Sequence, residues 1–279
     1  MKDVLALLSP TIGDRLSAGA CYALALARTH GAHLSALIAE IESYPINFPA
    51  EPDNMQADGT IIEPPSSATE RLTRTSDLVL SAAKRANVTC EIVARGDEFR
   101  SLRERVVHLA QVRDILIIDV YGPLQPPRKD LVDGALFGSG RPVVLVPQRL
   151  LEFTADRIVV AWDATRSAAR AVHDALPFLV RARDVTIVSV VDEKTFPTSN
   201  SGDLLCRYLA RWKVDAKFSA INGETLNVGM ALLTYAQHAE ANLLVMGGFA
   251  HAFERELMLG SATRDIFGAS LEFPVFLVH

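Results

Sequence analysis

The stretch that decides the fold is "RIVVAWDATRSAARAVHDALPFLV", Arg157 to Val180. Between Arg157 and Asp163 it opens on an apolar run rich in β-branched residues, the pattern of a strand buried on both faces. A turn and an Ala-rich amphipathic segment follow, and Pro177 marks or kinks the end of that expected helix. The same pattern stands near the start of the chain, where "DVLALLS" from Asp3 leads through a turn into "RLSAGACYALALARTH". A pattern met twice at this distance calls for a search for repeats.

The parallel continues along both halves. Second strands are expected in "HLSALIAEIE" and "DVTIVSVVDE", and third strands in "VTCEIVARGDE" and "DAKFSAINGET". The segments "SLRERVVHLAQV" and "VGMALLTYAQHAE" read as helices, and "RDILIIDV" and "ANLLVMGG" as fourth strands. Each half closes on a Pro-Val strand, "RPVVLVPQ" and "FPVFLVH". Proline is tolerated at the first residue of a strand. Strands alternating with helices predict two tandem, doubly wound, parallel five-stranded α/β sheets with flanking helices. The linker lies near "QRLLEFTADR", which divides the chain into 1–149 and 150–279. One insert breaks the symmetry: Tyr44 to Ser67, rich in Pro, Asn, Asp and Gly, reads as a long first-half loop, a lid or tolerated decoration.

Bulk properties narrow the function. The 279 residues carry a net charge of −5, and no Lys/Arg-rich stretch is present. Nucleic acid and anionic membranes are therefore not expected partners. No segment approaches the roughly 18 apolar residues of a membrane span, and the start "MKDVLALLSPTIGD" does not read as a signal peptide. A soluble cytoplasmic protein is expected. Three widely spaced cysteines, Cys21, Cys90 and Cys206, argue against a disulfide framework and read as buried thiols. The histidines suggest no metal site: only His30 and His33 lie close together, without acidic or thiol partners nearby.

In open α/β sheets, ligands bind beyond the carboxyl ends of the strands. In the second half those ends carry Asp163, then Val190 and Val191, then Met246-Gly247-Gly248. The last of these opens "MGGFAHAFERELMLGSATR", which ends at Gly260-Ser261 before a predicted helix. Ser261 reads as an N-cap, and free N–H groups with the helix dipole suit a phosphate. Neither a P-loop, nor a G-x-G-x-x-G fingerprint, nor a G-x-S-x-G elbow is present, so the corresponding enzyme classes drop out.

These residues resemble the universal stress protein family. Asp163, with Gly247-x2-Ala250-x9-Gly260-Ser261, is similar to its nucleotide pattern G-x2-G-x9-G-(S/T), and "FGSGRPVVLVP" and "ATRSAARAVHDALP" look like tandem bacterial members. The resemblance covers nearly the whole chain. It implies a fold of the adenine nucleotide α-hydrolase type and a stress-response or regulatory role. It also implies ATP or another adenine nucleotide, with or without magnesium. By that resemblance Asp163 and Val190 hold the adenine, Met246 and Gly247 approach the ribose, and Ala250, Gly260, Ser261 and Ala262 cradle the phosphates.

Ala250 departs from the pattern. It stands where the family has glycine, and a positive φ there would cost on the order of 1–2 kcal/mol. Two other readings therefore stay open: a partner-binding module without nucleotide, and a weak ATP hydrolase, although no catalytic set is evident. The first half has Ser9 in place of Asp163 and no Gly-x2-Gly after its fourth strand, so it is expected to be empty of nucleotide. The family's dimers pair through the last strand. This implies an intramolecular pseudo-dimer joined at "PVVLVP" and "PVFLVH", with a further homodimer open.

Overall fold

The structure is a computed structural model that describes residues 1–11, 13–41, 68–94, 99–148, 153–191, 201–223, 227–248 and 261–279. The insert Tyr44–Ser67 and the expected boundary between residues 149 and 150 lie outside the described residues. In the first half, strands β1 (Asp3–Leu8), β2 (His33–Ile38), β3 (Cys90–Ile92), β4 (Ile115–Val120) and β5 (Val143–Pro147) alternate with helices. The helices are α1 (Ala18–His30), α2 (Ala68–Ala86), α3 (Leu102–Gln111) and α4 (Arg128–Gly138). The second half has β6 (Arg157–Ala161), β7 (Asp184–Val190), β8 (Ala216–Ile221), β9 (Leu243–Gly247) and β10 (Val275–Val278). Its helices are α5 (Arg166–Asp174), α6 (Leu176–Leu179), α7 (Ser201–Arg211), α8 (Val228–His238) and α9 (Ser261–Gly268).

The two expected five-stranded sheets are joined edge to edge in one ten-stranded sheet, ordered β3-β2-β1-β4-β5-β10-β9-β6-β7-β8. Each half is parallel, and the strand order of one mirrors that of the other. The joint is the pairing of the two Pro-Val strands: β5 and β10 run antiparallel, with Val144 opposite Phe276. The pairing covers two apolar edges that would otherwise invite other strands.

Alternation along the strands builds two core layers. Val4, Ala6, Ile115, Ile117, Val144 and Val160 face the layer covered by α1, α2, α5, α6 and α7. Leu5, Leu7, Leu116, Ile118, Val143 and Val159 face α3, α4, α8 and α9. Both layers run across the joint. On one face Phe178 of α6 meets Phe276 of β10 edge-on at 5.7 Å and lies 5.9 Å from the ring of His30 of α1. Burial of these aromatics on one face, with core residues of both halves sharing each layer, makes the two halves one packed body.

Local details differ from the sequence reading in three places. Pro177 stands in the first turn of α6, so α5 ends at Asp174 and a new helix begins where proline is tolerated. The third strand of the first half is only three residues long. Cys21, Cys90 and Cys206 are free but half-buried rather than buried. Burial still pushes the Cys90 thiol up to about 11, with Glu91 adding to the shift. Among the described residues no helix is long and apolar enough to cross a membrane.

Candidate functional site

At the carboxyl edge of the second half, the turn after β6 is held by Asp163. Its Oδ1 accepts hydrogen bonds from the Thr165 N–H at 3.1 Å and the Thr165 hydroxyl at 2.6 Å. Thr165 in turn is the N-cap of α5, its Oγ1 accepting from the Ala168 N–H. Between them Ala164 has φ +59°, a left-handed conformation that costs a residue with a Cβ about 1–2 kcal/mol. Backbone strain of this kind is held in place by the capping bonds on either side. Trp162 points away from this turn. Its Nε1–H donates to Ser201 Oγ at 2.8 Å, and its carbonyl accepts from Ser189 Oγ.

Beside it, β7 ends at Val190, which is buried, while Val191 emerges and donates its N–H to the Ile221 carbonyl. Strand β9 ends at Met246, also buried, and Gly247. A methyl group on Gly247 would come within 2.5 Å of the Ala168 nitrogen and 2.6 Å of the Ser167 carbonyl carbon. The glycine is thus required for the first turn of α5 to lie against the sheet. The side chains of Val190 and Met246 belong to the core, and their main chains lie opposite Ile221 and Leu277 in the sheet.

The loop that follows takes Ala250 and Gly260 outside the described residues. Helix α9 is described from Ser261 onward, and the residue before it lies outside the described residues. Ala262 packs closely on α8: a Cβ on Gly229 would meet the Ala262 carbonyl oxygen at 2.5 Å. Asp265 accepts from the Gly229 N–H at 3.2 Å and so caps α8. Arg264 is exposed in the first turn, where a cation opposes the helix dipole. The edge therefore gathers Asp163, the Val190 main chain, Gly247 and the N-termini of α5 and α9.

The equivalent edge of the first half is filled. Val4 stands opposite Ile115 as Ile158 stands opposite Leu243, so Asp119 occupies the place of Gly247. Its carboxylate reaches the N-terminus of α1, accepting from Ser17 Oγ at 2.8 Å and from the Gly19 N–H at 2.6 Å. A Cβ on Gly19 would lie 2.4 Å from Asp119 Oδ1, so this helix needs its glycine to admit the acid. Arg128, 2% exposed, bonds through its guanidinium to the Asp119 carbonyl and to Ser9 Oγ. The same group lies 4.9 Å over the Tyr121 ring. Burial raises the Asp119 carboxyl above its ordinary range, against the pull of Ser17, Gly19 and Arg128.

Asp119 and Arg128 were not among the residues that motif and spacing single out. A signal was there: "ILIIDV" is an apolar run interrupted by one acid, and a charge in a doubly covered strand must find a partner.

No protein-family model and no curated protein matches the sequence. Solved structures do. A universal stress protein from Archaeoglobus fulgidus is similar over 98% of this chain and 97% of its own, with a TM-score of 0.66 and 17% identity. A functionally unknown protein from Pseudomonas aeruginosa covers 99% of this chain and 92% of its own, with a TM-score of 0.61 and 16% identity. A universal stress protein in complex with cAMP aligns with 45% of this chain and 98% of its own, at 24% identity and a TM-score of 0.33. The chain has the tandem universal stress protein fold.

Proposed function

We propose that the chain serves as a universal stress protein, a regulatory stress-response protein that holds an adenine nucleotide in its second half. The observation that carries the reading is the contrast between the two carboxyl edges. In the second half an acid, a glycine and two helix N-termini meet at the sheet edge, where a ligand of this fold class sits. In the first half the same positions are filled by the protein's own side chains.

In this reading Asp163 and the Val190 main chain hold the adenine, and the main chain of Met246 and Gly247 meets the ribose. Ala250, Gly260, Ser261 and Ala262 take the phosphates, with or without magnesium. The division at residues 149 and 150 and a cytoplasmic setting belong to the same proposal. No catalytic residue is assigned.

Equilibrium binding of labelled ATP tests it. The expected result is one ATP per chain, weakened about tenfold by Asp163→Ala, the loss of one charge-assisted hydrogen bond. Ala250→Gly tightens binding. Absence of binding in both the natural sequence and the Ala250→Gly variant overturns the nucleotide reading and favours a partner-binding module.

A further inference from the structure

The filled edge of the first half also reaches into the second. After β4 the chain runs through Tyr121–Pro127 before α4 begins. Arg128 fixes both ends of this loop. Its guanidinium bonds to the Asp119 carbonyl just before the loop and stacks on Tyr121 at its start, while its own backbone opens α4 at the loop's end. The third tie, to Ser9 Oγ at 3.0 Å, anchors the group to the end of β1.

The loop so closed leans on α9 of the other half. The Leu124 N–H donates to the Phe267 carbonyl at 2.7 Å. Phe267 stands in the last turn of α9, where carbonyls lack partners within the helix. A Cβ on Gly122 would be in contact with Ser270 Oγ, just beyond that helix. Lys129, paired with Asp133 on its own helix, places its ammonium 5.8 Å from the Phe267 ring. Helix α9 is eight residues long, about 12 Å. So short a helix is held near both ends: Ala262 and Asp265 lie against Gly229 of α8 near its start, and Leu124 holds the Phe267 carbonyl in its last turn.

We propose that Arg128 is a positioning residue for the second half: by closing the Tyr121–Pro127 loop it holds Leu124 against α9 and sets where the first turn of that helix meets a bound anion. The inference rests on the nucleotide reading for the identity of the anion, but the clamp itself is a property of the empty protein.

Amide hydrogen exchange on the full chain tests it without ligand, in Arg128→Ala, Arg128→Lys and Leu124→Pro. The α9 amides from Arg264 to Gly268 exchange about five- to tenfold faster in Arg128→Ala and in Leu124→Pro, the effect of one lost hydrogen bond. Both figures are read after dividing out the change in the slowest strand amides, which reports global stability; on that scale amides of α5 and α8 stay within about twofold. Arg128→Lys lies between, and millimolar ethylguanidinium restores α9 protection in Arg128→Ala but not in Leu124→Pro. The clamp is overturned by unchanged α9 exchange in both Arg128→Ala and Leu124→Pro, or by a rise shared equally with α5 and α8.

The two readings fail separately. If labelled ATP does not bind the natural sequence while α9 responds as described, the nucleotide reading falls and the clamp stands. If ATP binds all variants equally and α9 is unmoved, the clamp falls alone.

Discussion

The carboxyl edges of the two halves differ by exchanges at matching positions. Where the second half has Asp163 and Gly247, the first has Ser9 and Asp119. Aligned on Pro142 and Pro274, Arg128 corresponds to Gly260. The helix that meets the fourth strand changes in compensation. Gly19 makes room for the Asp119 side chain, whereas Ser167 packs on Gly247. A bulky strand residue with a bare helix, or a bare strand with a bulkier helix, gives the same fold. Among the described residues, only the first arrangement puts the fourth-strand side chain into the edge.

The contrast can be broken most severely at Arg128. Arg128→Ala strips a buried guanidinium from Ser9 Oγ and the Asp119 carbonyl, two hydrogen bonds from a charged donor at about 1.5–3 kcal/mol each. Chemical denaturation should show that loss as a lower midpoint, and a cost under about 1 kcal/mol would mean that these bonds contribute little.

Next comes the close packing. Gly19→Ala and Gly247→Ala each overpack a helix on the sheet, for a cost of about 1–3 kcal/mol. The compensation predicts a coupling. Adding Asp119→Gly to Gly19→Ala should cost less than the sum of the single changes by about 1 kcal/mol or more, whereas additivity would deny it. Asp163→Ala is milder, about 1 kcal/mol from the lost hold on the Thr165 turn, as read from thermal unfolding.

The smallest effect is on pH. Two half-buried imidazoles flank the joint, His30 against Phe178 and His279 against Phe137. Burial lowers the affinity of both for protons, reinforced by Arg181 and the N-terminal amine at His30 and by Arg166 and Arg170 at His279. In the unfolded chain they protonate near pH 6.5, and in the folded chain only at lower pH. As pH falls through that range the unfolded state binds more protons, so stability drops. The melting temperature should fall by a few degrees, roughly 1–3 °C, between neutral pH and about pH 5.5, and His30→Gln with His279→Gln should flatten that part of the slope.

Much of this architecture was legible before any coordinates. Apolar runs at "RIVVAWD" and "DVLALLS" and the paired Pro-Val segments located the strands, and the family resemblance put the joint at the Pro-Val pair. Asp163 and Gly247 could be placed at one edge because both follow strands of a parallel sheet, whose carboxyl ends share that edge. The filling of the first half was not legible. Asp119 and Gly19 are 100 residues apart in sequence, and a residue like Arg128 at the start of a helix reads as a solvated charge until tertiary packing turns it inward. The half-buried cysteines have the same origin, since exposure depends on neighbours that local pattern does not name.

The antiparallel meeting of β5 and β10 has a consequence for how such a molecule can change over time. Two identical subunits paired about a two-fold axis must present identical surfaces, so any residue that closes one crevice closes both. With both partners written into one polypeptide, that constraint disappears. Association no longer depends on concentration either, because the partner is always attached. One copy is then at liberty to lose its opening and become a fixed support, while the other keeps an open edge beside Asp163 and Gly247.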